Sequence, residues 1–246
     1  MVTHAPPPTA PPLPAMVARC ARCDARGASV CAEIADDDLV HLARATTQII
    51  RMPGQLLVEE GAPAHDFFTI TSGNAKLFKL LSDGRRQIMS FAGPGDFIGL
   101  AASDVHAASV EAIDTITACR IPRTRMHALM TRFPELEHRL LREAGRELSR
   151  AQSQILLLGR KTARERVASF LLSHVPPSGH AMCAAERFAA LPMTRADIAD
   201  YLGLTIETVS RTLSQLGRDQ VIALDAQHAV RVLDFERLQT IATPGS

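Results

Sequence analysis

Pro134 divides this chain of 246 residues into two textures. Before it, short apolar segments alternate with glycine. Seven of the 14 glycines lie from Gly54 to Gly99, and between them run Leu56-Leu57-Val58, Phe67-Phe68-Thr69-Ile70, Leu77-Phe78, Ile88-Met89 and Phe91. Many short strands separated by glycine turns predict a sandwich, barrel or jelly roll. Ser82-Asp83-Gly84 adds a hairpin signal. After Pro134 the period becomes helical. Leu136, Leu140, Ala144, Leu148, Ala151, Ile155 and Leu158 step by threes and fours, with Arg and Glu between them. A helix this long with a narrow apolar seam predicts a coiled-coil-like dimer contact through Leu140, Ala144, Leu148, Ala151, Ile155 and Leu158. The alternative is a helix buried against its own domain.

Other boundaries follow from local composition. Six of the 15 prolines fall in residues 1–14, so 1–18 is expected to be a disordered tail. A cysteine-rich segment occupies 19–32. Asp36-Asp37-Asp38 is expected to cap a short helix carrying Leu39, Leu42 and Ala43. The β-domain then completes 33–133, the long helix spans 134–159, and a C-terminal domain spans 160–246. In the last of these, Lys161–Ser173 reads as helix, Pro176-Pro177 marks a linker, and the chain from about 180 to Arg218 reads as helical. It ends in two β-like segments, Val221–Ala223 and Ala229–Val232. The fold class is therefore α+β.

The most informative motif lies in 193–216. Thr194 followed by Asp197 has the spacing of a capping box with Asp in place of Glu. Ile198, Ala199 and Leu202 give the helix an apolar face, and Gly203 ends it. Thr205 caps a second helix, with Val209, Leu213 and Leu216 facing inward. Two short helices about a glycine turn make a helix-turn-helix. Glu207, Ser210 and Arg211 stand at i, i+3 and i+4, on one face of the first turns of the second helix. Arg suits guanine O6 and N7, Glu suits cytosine N4, and Ser suits either kind of edge. Thr205 and Thr208 are placed for phosphates. The motif must carry this reading alone, because 27 basic residues against 26 acidic give a net charge of only +1. The plain alternative is a solvated helical hairpin.

Five cysteines stand at 20, 23, 31, 119 and 183. A C-x2-C step aims two sulfurs at one centre. Cys20, Cys23, Cys31 and the distant Cys119 can together hold a [4Fe–4S] cluster. The same four thiols admit structural zinc or a thiol–disulfide switch. Cys119 also reads as a small buried hydrophobe, and Cys183 as structural or incidental.

No apolar run approaches the ~18–20 residues of a membrane span, and no secretory signal opens the chain, so a cytoplasmic protein is expected. No phosphate-binding loop, Gly-x-Ser-x-Gly element or supported carboxylate pair points to an enzyme.

A glycine-punctuated β-domain, a long helix and this helix-turn-helix, in that order, resemble the CRP/FNR superfamily of bacterial transcription regulators. The likeness covers residues from about 19 to 240. It implies a cupin-like double-stranded β-helix (jelly-roll) sensory domain, a dimerisation helix and a winged helix-turn-helix that binds double-stranded DNA as a homodimer. Glu207-Thr-Val-Ser-Arg211 is similar to the FNR branch. In the cyclic-AMP branch an Arg precedes the Glu and a Gly replaces the Ser, where this chain has Ile206 and Ser210. The resemblance implies a palindrome of TTGAT-like half-sites and contact of loops such as Ser82–Arg85 with RNA polymerase. It also implies that Cys20, Cys23, Cys31 and Cys119 hold an oxygen-sensitive [4Fe–4S] cluster, although the seven-residue gap before Cys31 is shorter in some members.

Relatives that bind a cyclic nucleotide carry Gly-Glu and then an Arg-Ser or Arg-Thr pair. Here the stretch reads Phe97-Ile-Gly-Leu-Ala-Ala, with Leu100 in place of the Glu. From Gly99 to Cys119 there is no Lys or Arg, and His106 is the one candidate cation. A buried phosphodiester without a paired cation is costly, so no cyclic nucleotide is expected.

Overall fold

The computed structural model describes residues 13–100, 104–175, 187–224 and 229–243. The tail before Leu13, the Pro176-Pro177 linker and Cys183 lie outside these. The chain opens with helix α1 (Leu13–Ala21), so the expected disordered tail of 1–18 is corrected from Leu13 onward. Leu13, Met16, Val17 and Cys20 recur at helical spacing and pack on Leu39 and Leu42. Pro14 falls in the first turn, where its missing N–H costs nothing. Residues 30–33 and 36–38 form 3-10 turns, and α2 (Leu39–Ala45) follows. No aspartate side chain caps α2, contrary to expectation; the triplet is itself the 3-10 turn that leads in.

Strands β1 (Thr47–Arg51), β2 (Leu56–Val58), β3 (Asp66–Ser72), β4 (Ala75–Leu80), β5 (Arg86–Ala92), β6 (Phe97–Ile98), β7 (Ser109–Ala112) and β8 (Ile116–Pro122) come next. They form two four-stranded antiparallel sheets, ordered β1-β8-β3-β6 and β2-β7-β4-β5. Their facing sides bury Val58, Phe68, Ile70, Ile98, Val110 and Ile116 in one core, giving the jelly-roll sandwich expected. The Ser82-Asp83-Gly84 turn joins β4 to β5, with Gly84 at φ 85°.

Helix α3 (Arg123–Arg132) leads to the long α4 (Glu135–Arg160). The stripe expected on α4 is two surfaces. Leu136 packs with Cys20, Ile34 and Leu129, and Leu140 packs with Val30, Phe67, Ile121 and Met126. Leu140 is therefore a core residue of its own domain and not part of a seam. The outward apolar residues are Leu141, Leu148, Ile155 and Leu156, 62–71% exposed; the first three stand one heptad apart, with Ala144 and Ala151 between them. Leu158 is half-buried against the C-terminal core.

Helix α5 (Ala163–Ser173) starts at a complete capping box of Thr162 and Glu165. β9 (Arg187–Ala190) corrects the helical reading of that stretch. Then come α6 (Arg195–Leu202), α7 (Ile206–Arg218), β10 (Ile222–Leu224), β11 (Ala229–Val232) and α8 (Phe235–Ala242). The sheet order β10-β11-β9 beside α6 and α7 makes a winged helix-turn-helix. Its core includes Val167, Phe170, Ile198, Leu202, Val209, Leu213 and Leu238. No helix among the described residues is long and apolar enough to cross a membrane.

Candidate metal centre and nucleic-acid interface

Cys20 is in the last turn of α1, Cys23 in the turn beyond, and Cys31 in the 3-10 turn capped by Ser29. Cys119 is mid-β8, paired in register with Gln48 of β1 on one side and Thr69 of β3 on the other. These four cysteines, remote in sequence, open onto one cavity of 520 Å³, with Arg19, Arg26, Gln48 and Thr69 also in its wall. All four are free. Among the described residues no three ligating side chains converge on a point that would hold a single metal ion.

The thiols are electrostatically coupled. Burial pushes Cys119 up to about 12 and Cys31 to about 11, with neighbouring sulfurs adding to the rise, and it raises Cys20 as well. At neutral pH these three are protonated and weak nucleophiles until a cation displaces their protons. The rest of the wall carries Arg19, Arg22 and Arg26 against one carboxylate, Asp24. Arg19 Nε and Nη2, Arg26 Nε and Thr69 Oγ1 are buried without a hydrogen-bond partner. Such donors suit an anionic, sulfur-rich group in the cavity.

The cysteine segment is bolted to α4. Arg139 donates to the Ala28 carbonyl at 2.9 Å, and Glu33 accepts from Arg142 at 2.9 Å. Gly95, at φ 97°, lets the turn after β5 come against the same loop. A Cβ there would lie 2.7 Å from Ala28 Cβ. Arg26 braces the loop from within through Asp36 and the Ile34 carbonyl.

In the C-terminal domain, Thr194 Oγ1 accepts from the Asp197 N–H, and the Asp197 carboxylate accepts from the Thr194 N–H, so the capping box is complete. Gly203 takes the left-handed conformation at φ 61° and turns the chain into α7. Thr205 caps α7 by accepting from the Thr208 N–H at 3.2 Å. Glu207, Ser210 and Arg211 are exposed together on one face, opposite buried Val209, Thr212, Leu213 and Leu216. Hydrogen bonds from its own N–H and from Thr205 hold the Glu207 carboxyl below its ordinary value, so it presents an acceptor at neutral pH. Thr205 and Thr208 flank this face, Thr205 exposed and Thr208 half-buried.

A second cavity, of 220 Å³, lies between the β-domain and α4. Its walls include Gly99, Leu100 and His106, and Glu143, Glu147 and Arg150 close it. Arg150 is already paired with Glu147 and Asp96. His106 is buried, and that burial, with Arg123 nearby, lowers its pKa and keeps it neutral.

The two domains meet at an ion network that the sequence did not announce. Lys76 of β4 donates to Asp197 at 2.8 Å and pairs with Glu111 at 3.0 Å. Arg86 of β5 donates to Asp197 and Asp200, each at 2.9 Å. Gln87 and Gln154 donate to the Asp200 and Tyr201 carbonyls. The first helix of the DNA-reading unit is thereby pinned to the sensory domain.

Comparison with known proteins agrees with this architecture. Residues 165–241 match the Crp-like helix-turn-helix domain, and residues 51–133 match the cyclic nucleotide-binding domain. The chain is 39% identical to the transcriptional activatory protein AadR of Rhodopseudomonas palustris, over 89% of this chain and 91% of that protein. It is 36% identical to the transcriptional activator protein FnrL of Cereibacter sphaeroides, over 92% of each. The solved structure of FixK2 from Bradyrhizobium japonicum superposes with a TM-score of 0.74 at 35% identity, over 82% of this chain and 99% of that one. The sandwich, the long helix, the winged helix-turn-helix and these matches together place the chain in the CRP/FNR family of DNA-binding transcription regulators.

Proposed function

We propose that the protein is an oxygen-responsive regulator in which Cys20, Cys23, Cys31 and Cys119 hold a [4Fe–4S] cluster, and which binds a TTGAT-like palindrome as a homodimer while that cluster is intact. The observation that carries the reading is the common cavity onto which three cysteines of one segment and one of a distant strand open. Its donor set and its unpaired cationic N–H groups suit an anionic cluster. When bound, such a group supplies an oxygen-labile centre cross-linking the cysteine segment to β8. The protein's own residues carry the consequence. With the segment fixed, Ala28 and Glu33 hold Arg139 and Arg142, and Cys20 and Ile34 pack on Leu136. With it loosened, the first turns of α4 lose those contacts, and the pairing of Leu141, Leu148 and Ile155 across two chains weakens. In the dimer, two α7 helices meet half-sites about one DNA turn apart. The relatives named activators make activation the direction we assign. Activation would run through RNA polymerase contact at the exposed Ser82–Arg85 turn.

The cavity at Gly99 and Leu100 supports the absence of a cyclic-nucleotide ligand. Three carboxylates, of Asp96, Glu143 and Glu147, line it, its one arginine is committed, and His106 is neutral. Cyclic AMP and cyclic GMP should leave the melting temperature unchanged, and a saturable upward shift would overturn this part.

Anaerobic purification tests the whole reading. A brown protein with iron and acid-labile sulfide is expected, and loading should be lost in Cys20→Ser, Cys23→Ser, Cys31→Ser and Cys119→Ser but kept in Cys183→Ser. A colourless protein carrying zinc supports the zinc-stapled alternative. Full loading of Cys119→Ser removes the fourth ligand. Release on exposure to air of DNA bound anaerobically tests the oxygen response.

A further inference from the structure

The cysteine cavity holds charged N–H donors that the fold leaves unpaired. Arg19, in the last turn of α1, spends one N–H on Gln48 at 3.3 Å, while its Nε and Nη2 are shut off from solvent with no acceptor. Arg26 spends its two terminal nitrogens on Asp36 and the Ile34 carbonyl, and its Nε is likewise buried and unpaired. Both side chains stand in the wall that the four cysteines share. A buried donor without an acceptor is costly, more so when charged, and two guanidiniums in one cavity also repel each other. That cost is incurred twice at one place, beside Thr69 Oγ1, a buried hydroxyl without a partner on the strand neighbour of Cys119.

We propose that Arg19 and Arg26 form a cationic clamp on the cluster, holding it in the cavity through N–H donors directed at its sulfurs and raising its reduction potential. The inference rests on the cluster reading above. The chemistry that completes both arginines is a compact anion with several soft acceptors, and a cluster held by four thiolates is a dianion of that kind. One added electron makes the cluster more negative, so a fixed positive charge beside it stabilises the reduced form. The arginines are positioning residues, and the ligation itself belongs to the cysteines.

The experiment uses the full chain reconstituted anaerobically with iron and sulfide. Arg19→Gln is the main variant because it removes charge while giving up only the Gln48 bond; Arg26→Gln follows. Arg44→Gln, exposed and outside the cavity wall, is the control. Two quantities are read: the midpoint potential, and the rate of iron release to a chelator without oxygen. Arg19→Gln and Arg26→Gln should each lower the potential and release iron about tenfold faster, the scale of one charge-assisted hydrogen bond. Arg44→Gln should match wild type. If the glutamine variants load fully and keep the wild-type potential and release rate, the clamp is refuted. If they fail to load, Arg19→Lys and Arg26→Lys decide: restored loading supports a charge role, and continued failure overturns it. Wild-type protein that takes up neither iron nor sulfide refutes the cluster reading itself, an outcome separate from either result for the arginines.

Discussion

Replacing Asp197 by Ala should cost roughly 3 kcal/mol of stability and loosen the hold of the sensory domain on the DNA-reading domain. The carboxylate, on a side chain only 4% exposed, accepts four hydrogen bonds: from Lys76 at 2.8 Å, Arg86 at 2.9 Å, the Thr194 hydroxyl at 2.7 Å and the Thr194 N–H at 3.1 Å. Losing one half of a capping box costs ~1 kcal/mol. Breaking a buried ion pair by removing one partner costs ~3–5 kcal/mol when the remaining charge is left alone. Here neither cation is left alone, because Lys76 keeps Glu111 at 3.0 Å and Arg86 keeps Asp200 at 2.9 Å. The pair therefore contributes less than that range, about 2 kcal/mol, which with the cap gives the total.

The pH dependence has a definite sign. Burial pushes the Asp197 carboxyl up, but hydrogen bonds from Lys76 and Thr194 outweigh it and hold the group below its ordinary value. Its stabilisation is therefore fully present above the ordinary carboxyl range near pH 4 and is lost as pH falls through the depressed folded value. Urea unfolding from pH 7 down to pH 3 should show a shallower acid loss in Asp197→Ala than in wild type. A double-mutant cycle of Asp197→Asn with Lys76→Met should give a coupling of at least ~1 kcal/mol. Additive single effects, or a loss below ~1 kcal/mol in Asp197→Ala, would refute the network as a tie between domains.

Other substitutions separate the two faces of α4 and the two roles on α7. Ile155→Glu, placing like charges across the heptad seam, should give monomers by size exclusion even with the cluster loaded. Leu140→Ala should cost ~3 kcal/mol in urea unfolding while leaving the dimer intact, because that side chain is buried in its own domain. Arg211→Ala should cost about 1–3 kcal/mol per half-site and relax preference at one base, read by site selection at fixed salt. Thr205→Ala should weaken all sequences evenly and lower the melting temperature, since it removes a helix cap and no base contact.

What the sequence disclosed, and what it hid, follows from the range of each signal. The helix-turn-helix was legible down to its caps because Thr194 with Asp197, Gly203 and Thr205 act over three or four residues. The four cysteines stood out because a C-x2-C step is uncommon and its chemistry narrow. Arg19 and Arg26 gave no comparable sign, since an arginine beside a cysteine in sequence is usually solvated. Lys76 and Asp197 are 121 residues apart, and nothing local in either segment marks the other. Helix α1 was masked by the prolines before it, although Leu13, Met16, Val17 and Cys20 already carried the spacing. β9 is four residues long, too short for its alternation to register against helical neighbours.

The misreading of α4 has a geometric cause that also bears on how the molecule works. At about 100° per residue, steps of four advance about 40° each time. A stripe read through Leu136, Leu140 and Ala144 therefore winds from one face of the helix toward another. Its first members bury themselves with the cysteine segment and the β-domain, and the exposed apolar row begins one residue later at Leu141 and repeats by sevens. Adjacent Leu140 and Leu141 thus face different surroundings, one buried in its own domain and one exposed. Arg142, tied to Glu33 of the cysteine segment, precedes Leu148 of the seam by six residues, about 9 Å along a rigid rod. No separate relay is needed between the cysteine cavity and the outward leucines. The same two turns of helix carry both surfaces, so under the proposed function a change in how the segment seats on Leu136, Arg139 and Arg142 would move the start of the exposed row directly.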